Sequence, residues 1–248
     1  MPRVEEVRAF LDELAPQTLA EEWDNVGTLV DCGTEITSVM MALDITEEVV
    51  AEAEMAGCQL IVSHHPVIFH PMRALRRADV PFRMVKKNIS AICMHTNMDA
   101  ADGGVNDILA AVFGLSEVVK FGGMGRVGRL RAPLAVPKLA AVCGEKFAGP
   151  VQYVDTGRPV ERLAVLGGAG GDFYLQALEA GADCLLTGEA RHHEAIDAKA
   201  AGISLIVAGH FATEFPLMPV LGDKLKRRFP ELRVLVSKRC RDPFTYLG

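Results

Sequence analysis

One stretch of the sequence, LIVSHHPVIF at residues 60–69, restricts most strongly what this chain can fold into. A short run of residues with strand character leads directly into two adjacent histidines, His64 and His65, and Pro66 ends the run. Paired imidazoles at the end of a buried strand are unusual in a soluble protein, because polar side chains are mostly kept out of the core. We therefore predict a core strand whose carboxyl end lies at a functional site.

Two further short apolar strands are predicted to end in a histidine. The segments HTNMD (95–99) and HFATE (210–214) each begin with that histidine and carry a carboxylate four residues later. Strand patterns alternate with helix patterns along the chain, which indicates an α/β fold with largely parallel pairing. Because ligands bind at the carboxyl ends of parallel strands, we expect the three strand ends to meet around metal.

The two halves of the chain resemble each other. The segment AGCQLIVSHH (56–65) matches AGADCLLTGE (180–189), and both halves contain a histidine followed four residues later by an acid. We infer a duplicated α/β unit, with a pseudo-twofold axis that brings like strand ends together. Chance similarity between two βα units is the alternative, and the sequence leaves it open.

A domain boundary is predicted in the glycine-rich segment FGGMGRVGRLR (121–131), which shows no periodicity. The predicted fold is therefore α/β, with two similar duplicated domains at 1–124 and 125–248. We expect mainly parallel sheets, a last strand that can pack back on the first domain, and a metal site between the domains at the carboxyl ends of the strands.

Composition excludes several classes of protein. Half of the 248 residues are hydrophobic, which suits a packed core and argues against disorder. The formal net charge of −6 argues against nucleic acid as a partner. The six cysteines form no C-x-x-C pair, and no signal peptide or membrane-spanning apolar run is visible. These features predict a cytoplasmic protein with reduced thiols and no membrane partner.

The predicted site offers imidazole and carboxylate ligands, which suit zinc, iron, manganese, nickel or cobalt rather than calcium. Neighbouring residues of a regular strand point to opposite faces, so His64 and His65 cannot both face one ion while the strand stays regular. Beyond the strand they can diverge and serve two divalent ions side by side, the usual arrangement for activating water in hydrolysis. Because these ligands accept several metals, the sequence does not identify the ion.

Other candidate residues are assigned lesser roles. His192 and His193 are predicted to lie at a helix start on a partly exposed face near the site, and His70 in a loop. Asp44 follows a strand, where a structural or supporting role is expected. The loop GGAGGD (167–172) could cradle a phosphate, but it lacks the P-loop lysine, so a tight turn is expected.

A basic segment follows the paired histidines. It could receive an anionic substrate or nucleic acid, although a solvated surface is the default interpretation of such a run. Its cationic residues are Arg73, Arg76, Arg77, Arg83, Lys86 and Lys87.

The chain resembles the Nif-three-like (NGG-one-interacting-factor-three-like) proteins, whose bacterial members are often labelled GTP cyclohydrolase I type 2 homologs. The resemblance covers nearly the whole chain and rests on five segments in the same order: WDNVGTLVD, LDITEEVVAEA, IVSHHPVIF, HTNMDAADGGVND and AGHFATE. It implies two similar α/β domains and a toroidal homohexamer with a dinuclear metal site inside the ring. The chain is similar to the short members, because it has no room for an inserted domain between the halves.

The resemblance also implies site residues by motif. The implied bridging role belongs to the two acids, and His95 is implied to support the site or to carry protons during catalysis. The implied metal ligands are His64, His65, Asp99, His210 and Glu214.

We therefore expect a metal-dependent hydrolase that acts on a small, nucleotide-like substrate through metal-activated water. The alternative is a non-catalytic metal-binding or regulatory scaffold ring. A third hypothesis, a nucleic-acid-binding ring, rests on the basic segment alone, and the net charge argues against it. The substrate itself is not given by the sequence.

Overall fold

A computed structural model describes residues 1–247 and shows a mixed α/β protein, which confirms the predicted fold class. The chain divides into two compact units. The first contains Met1–Asp102 together with Leu217–Arg241, and the second contains Gly103–Pro216 and the chain from Asp242. These units differ in extent from the predicted domains 1–124 and 125–248, which stay a prediction.

Most strands are short, and several that lie between other strands of a sheet are buried along their whole length. In chain order they are β1 Gly27–Val30, β2 Ser38–Ala42, β3 Leu60–Ser63, β4 Ser90–Cys93, β5 Ser116–Phe121, β6 Gly125–Leu134, β7 Gln152–Val154, β8 Val160–Leu166, β9 Cys184–Thr187, β10 Ser204–Val207 and β11 Arg233–Val236.

The helices connect these strands or follow them. In chain order they are α1 Val4–Leu14, α2 Glu47–Met55, α3 Val80–Lys86, α4 Thr96–Ala100, α5 Val105–Val112, α6 Val136–Phe147, α7 Tyr174–Glu179, α8 His192–Ala201, α9 His210–Glu214 and α10 Leu217–Arg228. Thr46 caps α2 as its position before the first helical turn predicts, since its hydroxyl accepts a hydrogen bond from Val49 N at 3.3 Å.

The sheet of the first unit has the strand order β1-β4-β3-β2-β11. The pairs β4–β3, β3–β2 and β2–β11 are parallel, and β1 is antiparallel to β4. Every residue of β2, β3 and β4 is buried, as expected for parallel strands that are covered on both faces. The last strand therefore completes the first unit, and the prediction of mainly parallel pairing holds here.

The sheet of the second unit has the order β5-β6-β8-β9-β10-β7. Parallel pairing is limited to β8–β9 and β9–β10, whereas β5–β6, β6–β8 and β7–β10 are antiparallel. The glycine-rich segment 121–131, at which the sequence predicted a domain boundary, lies in this sheet. It forms the turn and part of the second strand of the hairpin β5–β6, because glycines let the chain reverse tightly between the strands.

Both units contain the same run of elements. In the first unit the run is β2-α2-β3-α3-β4-α4, and in the second it is β8-α7-β9-α8-β10-α9. The three strands of each run are parallel and lie in the same order in their sheets. This correspondence supports the inference of duplication drawn from the sequence.

Two further properties of the described residues bear on the predictions. Among residues 1–247, no helix combines the length and apolar character needed to cross a membrane. The six cysteines all lie in this part of the chain and are free thiols.

Candidate metal centre

The first unit brings the ends of two neighbouring strands together. β3 leads into His64 and His65, and β4 leads through Met94 into His95, which precedes α4. Met94 N donates a hydrogen bond of 2.9 Å to Ser63 O, so the two strand ends stay paired up to the histidines. The local fold follows the sequence, because each apolar run ends where the polar side chains begin.

The three imidazoles of these strand ends form a close cluster. Ring centroids are separated by 5.1 Å for His64 and His65, 5.2 Å for His64 and His95, and 5.4 Å for His65 and His95. One nitrogen from each ring lies within 4.8 Å of the other two. His64 is fully buried, whereas the other two are partly accessible. These three nitrogen atoms are thus close enough to belong to one metal centre.

The rings of His64 and His65 are each fixed through the Nδ1 atom. His64 Nδ1 donates a hydrogen bond of 2.8 Å to Met94 O, and His65 Nδ1 donates one of 2.7 Å to Asp44 Oδ1. Histidines that bind metal usually carry such a hydrogen bond on the other ring nitrogen, because it sets the tautomer and the ring orientation. Asp44 therefore has the supporting role that its position after β2 suggested.

The ring of His95 is fixed in the same way by Asp24. His95 Nδ1 donates to Asp24 Oδ1 at 2.8 Å, and the Thr96 backbone N–H and hydroxyl both donate to Asp24 Oδ2, at 3.0 and 2.5 Å. Burial acts to raise the pKa of the Asp24 carboxyl, but the hydrogen bonds from His95 and Thr96 outweigh it and hold the pKa well below its ordinary value. Asp24 is therefore a carboxylate that orients His95.

Asp99 joins the cluster from α4. Its Oδ1 lies 3.5 Å from His64 Nε2, and the side chain is largely buried. The sequence paired Asp99 with His95 through the H-x-x-x-acid pattern, whereas the structure brings its carboxylate to His64. Of the predicted site residues, the first unit therefore gathers His64, His65, His95 and Asp99 in one place.

The second unit carries a histidine and carboxylate pair of its own. α9 begins at His210, and the helical spacing of four residues brings Glu214 to the same face. His210 Nδ1 donates to Glu189 Oε1 at 2.9 Å, while His210 Nε2 lies 3.0 Å from Glu214 Oε2. The pair repeats the pattern of His64, in which Nδ1 is held by an oxygen and Nε2 faces a carboxylate.

The loop GGAGGD packs against this pair. A Cβ atom added at Gly168 would overlap the Glu214 carboxylate and lie 3.3 Å from His210 Nε2. Gly168 also has φ of +67°, a backbone conformation that side chains disfavour. The glycine at 168 thus leaves the space in which the Glu214 carboxylate sits.

The donor atoms available at these two places are nitrogen and oxygen. Cys93 is the nearest thiol by sequence, but it donates a hydrogen bond of 3.0 Å to His64 O. Burial, followed by the charges of Asp24 and Asp99, raises the pKa of this thiol well above its ordinary value, so it stays protonated. Imidazole and carboxylate donors fit zinc, iron, manganese, nickel or cobalt.

The remaining candidates lie at the surface of the protein. His70 is in a loop, and His192 and His193 are exposed at the start of α8. The basic segment contributes to a cavity of about 680 Å³, in which two of the cations form ion pairs, Arg83 with Glu47 and Lys87 with Glu54. The other residues around this cavity include Arg77, Phe82 and Lys86.

Sequence reasoning missed two residues that orient the candidate ligands, Asp24 and Glu189. A signal for each is present in the sequence. Asp24 belongs to WDNVGTLVD, the first of the five segments that resemble the Nif-three-like proteins. Glu189 occupies the position that corresponds to His65 in the internal repeat, so its place at a strand end was predictable, although its hydrogen bond to His210 was not.

The sequence is similar to one protein family and to named relatives along nearly its whole length. A family model described as Duf34/NIF3 (NGG1p interacting factor 3) matches residues 2–243. A protein of Clostridium perfringens named GTP cyclohydrolase 1 type 2 homolog is 31% identical, over 99% of this chain and 100% of its own length. A protein of the same name from Streptomyces coelicolor is 35% identical, over 99% and 94%.

Solved structures show the same likeness. A hypothetical protein of Staphylococcus aureus matches with a TM-score of 0.92 and 29% identity, and the match covers 99% of each chain. Reduced HcgD from Methanocaldococcus jannaschii matches with a TM-score of 0.82 and 26% identity, covering 96% of this chain and 98% of its own.

Proposed function

The chain belongs to the Duf34/NIF3 family, and from this membership we propose that it is a dinuclear metal-dependent hydrolase acting on a small, nucleotide-like substrate. One observation carries the proposal. In both units, Nδ1 of each candidate histidine donates a hydrogen bond to an oxygen acceptor, which selects the tautomer whose Nε2 carries no hydrogen. Histidines that bind metal are typically fixed through the other ring nitrogen in this way.

We propose that residues of both units hold two divalent ions. The support is the donor chemistry of each unit and the motif resemblance. The proposed ligands are His64, His65, Asp99, His210 and Glu214. When bound, such ions act as Lewis acids and make water a nucleophile at neutral pH.

The protein's own residues would orient this site and handle protons. Asp44 and Glu189 keep the rings of His65 and His210 in place. Asp24 holds His95 with Nδ1 protonated, so that Nε2 is the atom that can take a proton from the substrate side and return it. His95 is accordingly the proposed proton carrier.

Metal analysis followed by a substrate screen tests the proposal. Because the curated relatives are named GTP cyclohydrolase 1 type 2 homolog, GTP is the first substrate to assay, followed by other nucleotides and phosphoesters. We expect two ions per chain, and turnover that is lost in His64→Ala but kept in His192→Ala, an exposed histidine of the second unit. Turnover that survives both metal removal and His64→Ala would contradict the hydrolase. Two ions without turnover would favour the scaffold ring instead.

The assembly and the compartment are proposals of the same kind. We propose a homohexamer, which the resemblance implies, in a reducing cytoplasm that suits six free thiols. Light scattering is expected to give six times the chain mass of 26.8 kDa. A mass of one or two chains would contradict the ring.

A further inference from the structure

Two large aromatic side chains lie exposed beside the imidazole cluster of the first unit. Trp23 is 59% exposed and Phe69 is 41% exposed. Their ring centroids are 5.9 Å apart, and those centroids lie 6.1 and 6.4 Å from the centroid of His95. Exposed apolar groups of this size beside a polar site are a feature of ligand-binding surfaces.

The backbone around Trp23 is held in place although its side chain is not buried. On one side, Glu21 N donates to Thr96 Oγ1 at 3.0 Å. On the other side, Asp24 takes the hydrogen bonds from His95 and Thr96 that fix the imidazole. The turn that carries the indole is thus tied to the same residues that orient His95.

A further hydrogen bond connects the two chain segments that carry the aromatic residues. Asn25 Nδ2 donates to Ile68 O at 2.5 Å, which joins the turn after Trp23 to the segment that leads into Phe69. The backbone next to each of the two rings is therefore held in place. Preorganised aromatic groups bind planar ligands well, because little conformational freedom is lost on binding.

We propose that Trp23 and Phe69 form a stacking platform for a planar heteroaromatic ring, a nucleobase or a ring of similar size, in the substrate of the metal site. This inference rests on the proposed function for the identity of the site and adds the class of group that is recognised. The platform contacts the ring, while the reacting part of the ligand points toward His95. Stacking on an indole tolerates different bases, since every base has a π face.

Tryptophan fluorescence tests the platform directly, because Trp23 is the only tryptophan in the chain. The full-length protein is titrated with guanosine 5′-monophosphate, and with ribose 5-phosphate, which keeps the sugar and phosphate but lacks the base. We expect saturable quenching by the nucleotide and none by ribose 5-phosphate. Equal responses to both would overturn the proposal, because the base would then not be the group recognised.

Variants of Trp23 test whether binding depends on an aromatic face at this position. Binding of the nucleotide is measured by equilibrium dialysis, which does not depend on fluorescence. Trp23→Ala is expected to weaken binding about 10-fold or more, whereas Trp23→Phe, which keeps an aromatic face, is expected to stay within about 3-fold of the wild type. Tyr153→Ala removes an aromatic side chain that is 49% exposed in the second unit, and it is expected to leave binding unchanged.

The readout distinguishes this proposal from the hydrolase proposal. Nucleotide binding that requires Trp23, without turnover, supports the platform and contradicts only the catalytic proposal. Turnover in which Trp23→Ala leaves both KM and nucleotide affinity unchanged contradicts the platform alone. If Trp23→Ala changes the mass measured by light scattering and leaves affinity unchanged, the indole packs between copies of the chain and the platform is wrong.

Discussion

His65 Nδ1 donates a hydrogen bond of 2.7 Å to Asp44 Oδ1, so the orientation of this ring is set by a carboxylate 21 residues earlier in the chain. Removing that acceptor with Asp44→Ala is expected to weaken metal binding about 10- to 100-fold, because the ring can then rotate and change tautomer. Competition with a fluorescent zinc chelator measures the change.

Glu22→Gln provides the control for the loss of one negative charge, since Glu22 is an exposed acid of the same unit. Its zinc affinity is expected to match the wild type. A similar loss of affinity in both variants would mean that net charge, and not the hydrogen bond, determines zinc binding.

Gly168 leaves the space that the Glu214 carboxylate fills. Gly168→Ala is expected to displace this carboxylate and to lower metal affinity, in addition to destabilising the fold by about 1 kcal/mol through its left-handed backbone. The matched control is Gly157→Ala, where φ is +78° and no atom lies within 4 Å of the added Cβ.

Urea unfolding and the zinc competition assay together separate the two effects. Both alanine variants are expected to lose similar stability, while Gly168→Ala alone loses metal affinity. Unchanged zinc binding in Gly168→Ala would show that Glu214 is not held by this loop.

Asp24 keeps His95 oriented, and its pKa stays well below the ordinary value because hydrogen bonds from His95 and Thr96 outweigh the effect of burial. Asp24→Asn substitutes an amide, which can donate a hydrogen bond, for a carboxylate that only accepts hydrogen bonds. We expect kcat to fall by about 10² with little change in KM and with both ions retained, because general acid–base catalysis contributes roughly this much. A rise in KM without a fall in kcat would contradict the proton-carrier role of His95.

The stability of the second unit is expected to depend on pH through Asp107 and Arg126. Arg126 is almost fully buried, and its Nε and Nη2 donate to the Asp107 carboxylate at 2.6 and 3.1 Å. Burial acts to raise the pKa of Asp107, but the hydrogen bonds from Arg126 and Gly103 outweigh it and lower the pKa. A lowered folded-state pKa contributes stability above the unfolded-state pKa of about 4, and this contribution is lost as the pH falls through the folded-state value.

Asp107→Asn is therefore expected to cost about 2 kcal/mol of unfolding free energy at pH 7. The difference from the wild type is expected to shrink as the pH falls below about 4. Glu117→Gln, which alters an exposed pair with Arg129, is expected to change stability by less than about 0.5 kcal/mol. A cost in Asp107→Asn that is constant from pH 7 to pH 3 would contradict the role of ionised Asp107.

The parts of the fold that the sequence predicted are those with strong local patterns. The strands before His64, His95 and His210 are short, apolar and buried, so their ends could be located from the sequence. The hairpin β5–β6 was missed, because five of the six residues of β5 are exposed and show no alternation. A strand of this kind is defined by its hydrogen-bonded partner and not by its own residues.

The candidate site was likewise predictable only in part. The ligand types could be predicted, because histidine and carboxylate side chains follow strands. The pairing of each acid with a particular ring could not be predicted. The Asp99 carboxylate lies next to His64, which follows another strand, and not next to His95 of its own motif. The contact between Asp24 and His95 joins residues 71 positions apart, a distance over which local patterns carry no information.

The pairing of β11 with β2 has a consequence for biosynthesis. β2 is buried along its length, and Arg233 to Val236 pair with Ser38 to Met41 in parallel. Until residues 233–236 have been made, β2 has an open edge, which is a site for wrong pairing. The first unit therefore finishes folding only after residue 236 has been made, although residues 1–102 form most of it. Truncation after residue 232 is expected to leave this unit sensitive to protease, whereas truncation after residue 241 is not.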